Sequence, residues 1–229
     1  MTVFYAVGKA ITVPLAKGLW RPTITGRDNI PRSGGVILAS NHLSFIDSFA
    51  IPIASPRPVS FLAKSDYFTG TGVSGAIRRG FFVGSQAIPV DRHSSRAAQE
   101  SLELALEVLR EGRAFGIYPE GTRSRDGRIY RGRTGVAWLA LTAGVPVVPV
   151  GLVGTDKVQP VGAKLPSLAK VRVAFGTPIS PQRYAAMPAG RARRELTDEI
   201  MLAIATLSGQ ERVDAYNELP PGSDPAIGV

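Results

Sequence analysis

The sequence predicts an α/β fold: a mixed, largely parallel central sheet flanked by helices, with an N-terminal amphipathic helical segment. Three observations carry this expectation. From Thr23 onward, apolar runs of strand length alternate with helical stretches, the pattern of a layered α/β domain. Over residues 94–111, Leu102, Ala105, Leu106 and Leu109 recur at helical spacing, with Ser94 or Ser95 as cap and Gly112 as stop. Several short apolar runs end abruptly in polar, basic or Pro/Gly residues, as buried strands do where they leave a sheet.

Each element follows from local pattern. In the first twenty residues Val3, Phe4, Val7, Ile11 and Leu15 share one helical side, with Tyr5, Lys9 and Thr12 opposite and Trp20 and Arg21 at the end. This reads either as a helix lying in a membrane surface, with Trp20 as interfacial anchor, or as a helix packed on its own domain. Residues 36–40 form a strand, 46–53 a helix, and Pro56 and Pro58 break the chain. Strands are expected at 59–63, 87–90, 114–118, 146–150 and 171–175, and a last helix at 191–207 with Leu196, Ile200, Ala203, Ile204 and Leu207 on one face. The uncharged stretch 134–155 has the length of a membrane span. Gly135, Gly144, Pro146, Pro149, Gly151 and Gly154 interrupt it, so it divides into a short buried helix (136–142), a Gly turn and a buried strand. The expected organisation is a membrane-associating helical segment over 1–22, one domain over 23–210, and a flexible tail over 211–229 that is Pro/Gly-rich after Asn217.

Composition narrows the chemistry. The absence of cysteine removes disulfides, thiol nucleophiles and Cys-type zinc sites. His42 and His93 are the only histidines, so imidazole chemistry near neutral pH runs through one of two side chains. The net charge of +9 suits polyanions, whether nucleic acid, anionic lipid or phosphorylated substrates. No secretory leader is legible at the N-terminus.

The sharpest local signal is Asn41-His42-Leu43-Ser44-Phe45-Ile46-Asp47, where a strand ends, a His follows at once, and a carboxylate opens the next helix. A turn of that length lets Asp47 accept the Nδ1–H of His42, which leaves Nε2 as the base and stabilises the imidazolium. The competing reading is a core histidine held by a helix-cap aspartate. A dyad without its own nucleophile suits a reaction in which the substrate supplies the hydroxyl. The second signal is Tyr118-Pro119-Glu120-Gly121-Thr122-Arg123-Ser124, followed by Arg125, Arg128, Arg131 and Arg133. A Gly turn exposes backbone N–H groups, and a guanidinium beside it grips phosphate bidentately; the plainer reading is a solvated basic loop. Lys64 and Arg92 each follow a further strand.

In order, N-H-x-x-x-x-D, A-K, a strand ending in D-R, P-E-G-T-R-S and V-P-V-V-P-V resemble the glycerolipid acyltransferase family, specifically bacterial 1-acylglycerol-3-phosphate acyltransferases, over about residues 24–178. The resemblance implies His42 as the base that deprotonates the acceptor hydroxyl and Asp47 as its orienter. It implies Lys64, Arg92, Glu120, Gly121, Thr122 and Arg123 in acceptor binding. Its donor is a thioester, acyl-CoA or acyl-carrier protein, used as co-substrate with no cofactor or metal. Its acceptor is a lysophospholipid, acylated to phosphatidic acid by an enzyme peripheral on the cytoplasmic face of a membrane with anionic lipids, and nucleic acid is not a partner. Tyr118 stands where the family usually has phenylalanine, and Ile88-Pro89-Val90 departs from its usual strand.

Other classes fit less well. No G-x-S-x-G occurs; Gly72-Val73-Ser74-Gly75-Ala76 fails at its last position, which leaves a serine hydrolase without its nucleophile elbow. A nucleic-acid binder explains the charge but leaves the His–Asp spacing idle and lacks interleaved aromatics. A non-catalytic lipid-surface module is the better non-enzymatic rival. Within the family, glycerol 3-phosphate or another lysophospholipid is the alternative acceptor.

Overall fold

The computed structural model describes residues 20–64, 87–90, 97–160 and 166–218, together with Pro14 and Gly18. The expected N-terminal helix falls almost wholly outside them, as do Ser94, Ser95 and Arg92. The strands are β1 (Thr23–Thr25), β2 (Val36–Ser40), β3 (Val59–Ser60), β4 (Leu62–Lys64), β5 (Ile88–Val90), β6 (Ala114–Ile117), β7 (Val147–Val153) and β8 (Arg172–Phe175). The helices are α1 (Asp47–Ala54), α2 (Ala97–Arg110), α3 (Gly135–Ala143), α4 (Thr155–Val158) and α5 (Ala189–Ser208).

Six strands form one sheet in the order β1-β8-β7-β2-β6-β3, and β4 pairs with β5 in a second, parallel pair. Every pairing in the large sheet is parallel except β7 with β8. The expected mixed, largely parallel sheet is therefore the one that forms. Strand β2 lies at its centre with all five residues buried. Its side chains alternate: Ile37 and Ala39 join the core under α2, α3 and α5, while Val36 and Leu38 join the core on the α1 face. Both faces are covered, so a continuous apolar run is the stable choice there. The 134–155 stretch divides as expected, into α3 and β7, with Gly144 at φ 66° closing the helix. Among the described residues no helix is long and apolar enough to cross a membrane.

Two expectations need correction, the strand at 59–63 and the start of the tail. The single strand expected at 59–63 is two, β3 in the large sheet and β4 in the small one, broken at Phe61. Phe61 leaves the ladder because its ring covers Gly116 of β6, where an added Cβ would stand 2.1 Å from its Cζ. Trp20 is partly buried against the α1-side core, and its Nε1–H donates to the Ser167 carbonyl at 2.8 Å. The chain after α5 is held at once, since Ile129 N–H donates to Glu211 O and Arg131 N–H to Ala215 O, each at 2.9 Å. Backbone pairing with a distant loop, which composition does not record, holds the start of the expected tail.

Candidate active site

Strands β2 and β6 are parallel neighbours, so their C-terminal ends emerge side by side, the usual place for reactive groups in an open α/β sheet. Just beyond β2, Asn41 is buried; its side chain donates to Leu152 O at 2.9 Å and accepts from Leu152 N–H at 2.8 Å. These two bonds extend the ladder toward β7 and fix where His42 begins.

His42 and Asp47 meet as their spacing predicts, with Nδ1 of His42 2.8 Å from Oδ2 of Asp47. The same oxygen accepts the Leu43 N–H at 2.6 Å and the Ser44 N–H at 2.8 Å. The carboxylate is thus anchored by the turn it closes, and the imidazole by the carboxylate. In the neutral ring this puts the proton on Nδ1 and the lone pair on Nε2. His42 exposes 1% of its surface and Asp47 none, so the dyad lies in a medium where charge interactions are strong.

Tyr118 follows β6 and lies flat on the imidazole, with ring centroids 3.9 Å apart and planes 9° apart. Its hydroxyl shares a hydrogen bond of 2.9 Å with Ser48 Oγ, next to Asp47. Burial, and then the neighbouring Asp47, push this phenol well above its usual pKa, against the Ser48 bond. The group stays protonated.

The loop after β6 is tied to the first motif, because Ser124 N–H donates to the His42 carbonyl at 2.8 Å. Gly121 turns at φ 79°, a left-handed conformation that favours glycine, and its N–H donates to Tyr118 O at 3.0 Å. Glu120 points inward rather than into an open site: it is 1% exposed and accepts the Tyr130 N–H at 3.0 Å. Burial raises its pKa to about 7, opposed by the backbone bonds from Tyr130 and His42. Thr122 is buried, and Arg123 is half-buried at the turn.

Six of the eight expected residues therefore cluster at the ends of β2 and β6: His42, Asp47, Glu120, Gly121, Thr122 and Arg123. Lys64 ends β4 as expected, its backbone alone being described, and Arg92 lies outside the described residues. Beside them a cavity of about 420 Å³ is lined by Leu102, Tyr118, Gly121, Arg133, Val136 and Tyr216, among others.

Comparison with known proteins agrees with this architecture. Residues 21–153 match the model of the Acyltransferase family. The chain belongs to that family. Among individual relatives, it is 30% identical over 162 residues to a chloroplastic 1-acyl-sn-glycerol-3-phosphate acyltransferase of Brassica napus, covering 70% of this chain and 45% of that one. An enzyme with the same activity in its name from Bacillus subtilis is 23% identical over 189 residues, covering 82% and 88% of the two chains. The fold resembles the crystal structure of the 1-acyl-sn-glycerophosphate (LPA) acyltransferase PlsC from Thermotoga maritima, with a TM-score of 0.64 at 23% identity over 88% of this chain and 80% of that one. The chain spans about half the length of the first curated relatives it matches.

Proposed function

We propose that this chain transfers a fatty acyl group from a thioester to the free hydroxyl of 1-acyl-sn-glycerol 3-phosphate, producing phosphatidic acid, with His42 as general base. The observation that carries the reading is the buried contact of 2.8 Å between His42 Nδ1 and Asp47 Oδ2. Asp47 holds the ring in the tautomer whose Nε2 accepts a proton, and it offsets the charge of the imidazolium that results. The relatives' names support the acceptor, and the basic side chains near the site suit its phosphate.

The reaction balances without a covalent enzyme intermediate. Nε2 of His42 takes the proton from the acceptor hydroxyl as its oxygen bonds to the thioester carbonyl carbon. The tetrahedral intermediate collapses, the carbon–sulfur bond breaks, and the imidazolium returns its proton to the leaving thiolate. General-base assistance of this kind is worth about 10²–10⁴-fold. Lys64, Arg92 and Arg123 hold the acceptor phosphate, placing the hydroxyl against the base in reactive geometry. His42 is almost wholly covered, so the acceptor reaches it only as a covering side chain gives way. Glu120 supports the loop through Tyr130 rather than receiving a glycerol hydroxyl. The donor is acyl-CoA or acyl-carrier protein, and the enzyme works peripherally at an anionic membrane surface, on its cytoplasmic face.

The deciding experiment presents 1-acyl-glycerol 3-phosphate, glycerol 3-phosphate and other lysophospholipids with each donor, identifying product positions by mass spectrometry. Phosphatidic acid from the first acceptor is the expected product. Preference for another acceptor redirects the substrate, and no acyl transfer with any pair ends the enzymatic reading.

A further inference from the structure

Residues 210–217 follow α5 and lie beyond the region matched by the family model. They run as a strap along the Arg-rich loop. Ile129 N–H donates to Glu211 O, Val213 N–H to Ile129 O and Arg131 N–H to Ala215 O, each at 2.9 Å. Side chains fasten both ends. Gln210 accepts from Asn41 Nδ2 and donates to Gly127 O, each at 2.7 Å, and Asn217 Nδ2 donates to Arg123 O at 3.2 Å. The strap thus touches the residue before His42 and the carbonyl of Arg123.

Near its end, Tyr216 presents its ring to two guanidinium groups, Arg131 at 5.5 Å and Arg133 at 5.6 Å from the ring centroid. Each such contact is favourable, yet together they bring two like charges to one ring. Arg131 is weakly compensated, by an exposed Asp214 at 4.0 Å. Arg133 forms no ion pair among the described residues. Its side chain crosses Gly121, with Nε 3.0 Å from where a Cβ would stand, and lines the cavity that Tyr118, Leu102 and Val136 also line. Tyr118 in turn stacks on His42. A cation without a carboxylate partner, beside a largely apolar cavity one ring away from the dyad, matches an amphiphile that carries a phosphate.

We propose that Arg133 binds the phosphate of a substrate and that Tyr216 of the C-terminal strap is the residue that positions it. This rests on the acyltransferase reading and extends it to residues outside the recognised motifs. Phosphate is common to the lysophospholipid and to the donor's coenzyme, and the test separates the two.

Initial rates with both substrates varied are compared for wild type, Arg133→Gln, Tyr216→Ala and Tyr216→Phe. Arg133→Gln raises the KM of one phosphate-bearing substrate about tenfold, with a smaller effect on kcat. Tyr216→Ala raises the same KM, and Tyr216→Phe, which keeps the ring, restores most of it. A rise for the lysophospholipid places the subsite on the acceptor, and a rise for acyl-CoA places it on the donor. Unchanged KM values in Arg133→Gln overturn the proposal, as does a Tyr216→Ala effect confined to the other substrate. Calorimetric titration of wild type and Arg133→Gln with coenzyme A and with glycerol 3-phosphate reads the subsite without turnover. A chain that acylates nothing therefore refutes the function, while the ratio of Kd values still decides the subsite: a weakened Kd supports it, and equal Kd values remove it.

Discussion

The rings of His42 and Tyr118 are stacked, 3.9 Å between centroids and 9° from coplanar. The two residues stand just past the ends of neighbouring parallel strands, β2 and β6, so the stack joins the His42–Asp47 motif to the Tyr118–Ser124 motif. Through Ser48 the tyrosine hydroxyl also reaches the helix that carries Asp47. The imidazole is thus held at one edge by a carboxylate and across one face by a phenol.

Tyr118→Phe keeps the stack and loses the Ser48 bond. It should cost about 1 kcal/mol of stability and leave kcat within about threefold. Tyr118→Leu removes the aromatic face and should lower kcat by about tenfold or more, as the ring loses a pair interaction worth about 0.5–1.5 kcal/mol. Urea melts and initial rates on the two variants check this. Equal kcat in the two would mean that the stack does not orient the base.

His42→Ala should reduce kcat by about 10²–10⁴-fold and leave a folded chain by circular dichroism. Asp47→Asn should lose activity and stability together, because Oδ2 also accepts two backbone N–H groups of the turn. Near-normal turnover by His42→Ala ends the mechanism.

Glu120 supplies a pH test with a definite sign. Its folded pKa is about 7, raised by burial from an ordinary 4.5. The folded state therefore holds the proton more tightly than the unfolded chain does. That contribution is fully present below about pH 4.5 and is lost as pH rises through about 7. Glu120→Gln carries no such loss and still accepts the Tyr130 N–H. Its stability relative to wild type should rise by up to about 3 kcal/mol between pH 4.5 and 7.5, read by urea unfolding at each pH. A pH-independent difference would remove Glu120 as the cause.

Gly116→Ala tests the packing that splits the strand at Phe61. A methyl at Gly116 meets the Phe61 ring, which itself lies 5.7 Å from the Tyr118 ring. The variant should lose about 1–3 kcal/mol, measured by urea denaturation. Wild-type stability would show that Phe61 moves aside without cost.

Deleting residues 1–17 tests the proposed membrane role of the N-terminal segment. Sedimentation with vesicles of anionic lipid should fall, since the deletion removes the apolar residues that recur at helical spacing. Undiminished sedimentation would assign membrane binding to another surface.

Local physics was legible in the sequence. The period of residues 94–111 marks a helix because side chains three and four apart share a face, and α2 forms there. The run 36–40 marks a buried strand because no polar residue interrupts it, and β2 lies at the sheet centre. The His42–Asp47 contact was legible because only four residues of turn separate the two groups. The Arg-rich loop announced a basic surface, though not that Arg133 would line the cavity beside Tyr118.

What only the tertiary structure decided depends on pairs far apart in the chain. Three residues at Thr23–Thr25 carry too little pattern to mark a strand, and their partner in the sheet is Arg172–Ala174. Tyr118 covers His42, Glu120 takes the Tyr130 N–H, and Gln210 and Tyr216 reach back to Asn41, Arg131 and Arg133. Composition describes residues 211–217 as part of a tail because most of their side chains are polar and the Pro/Gly-rich end follows them. It holds no record of the backbone N–H and C=O groups that a distant loop leaves open for pairing, and those groups, settled only when the sheet closes, order the strap.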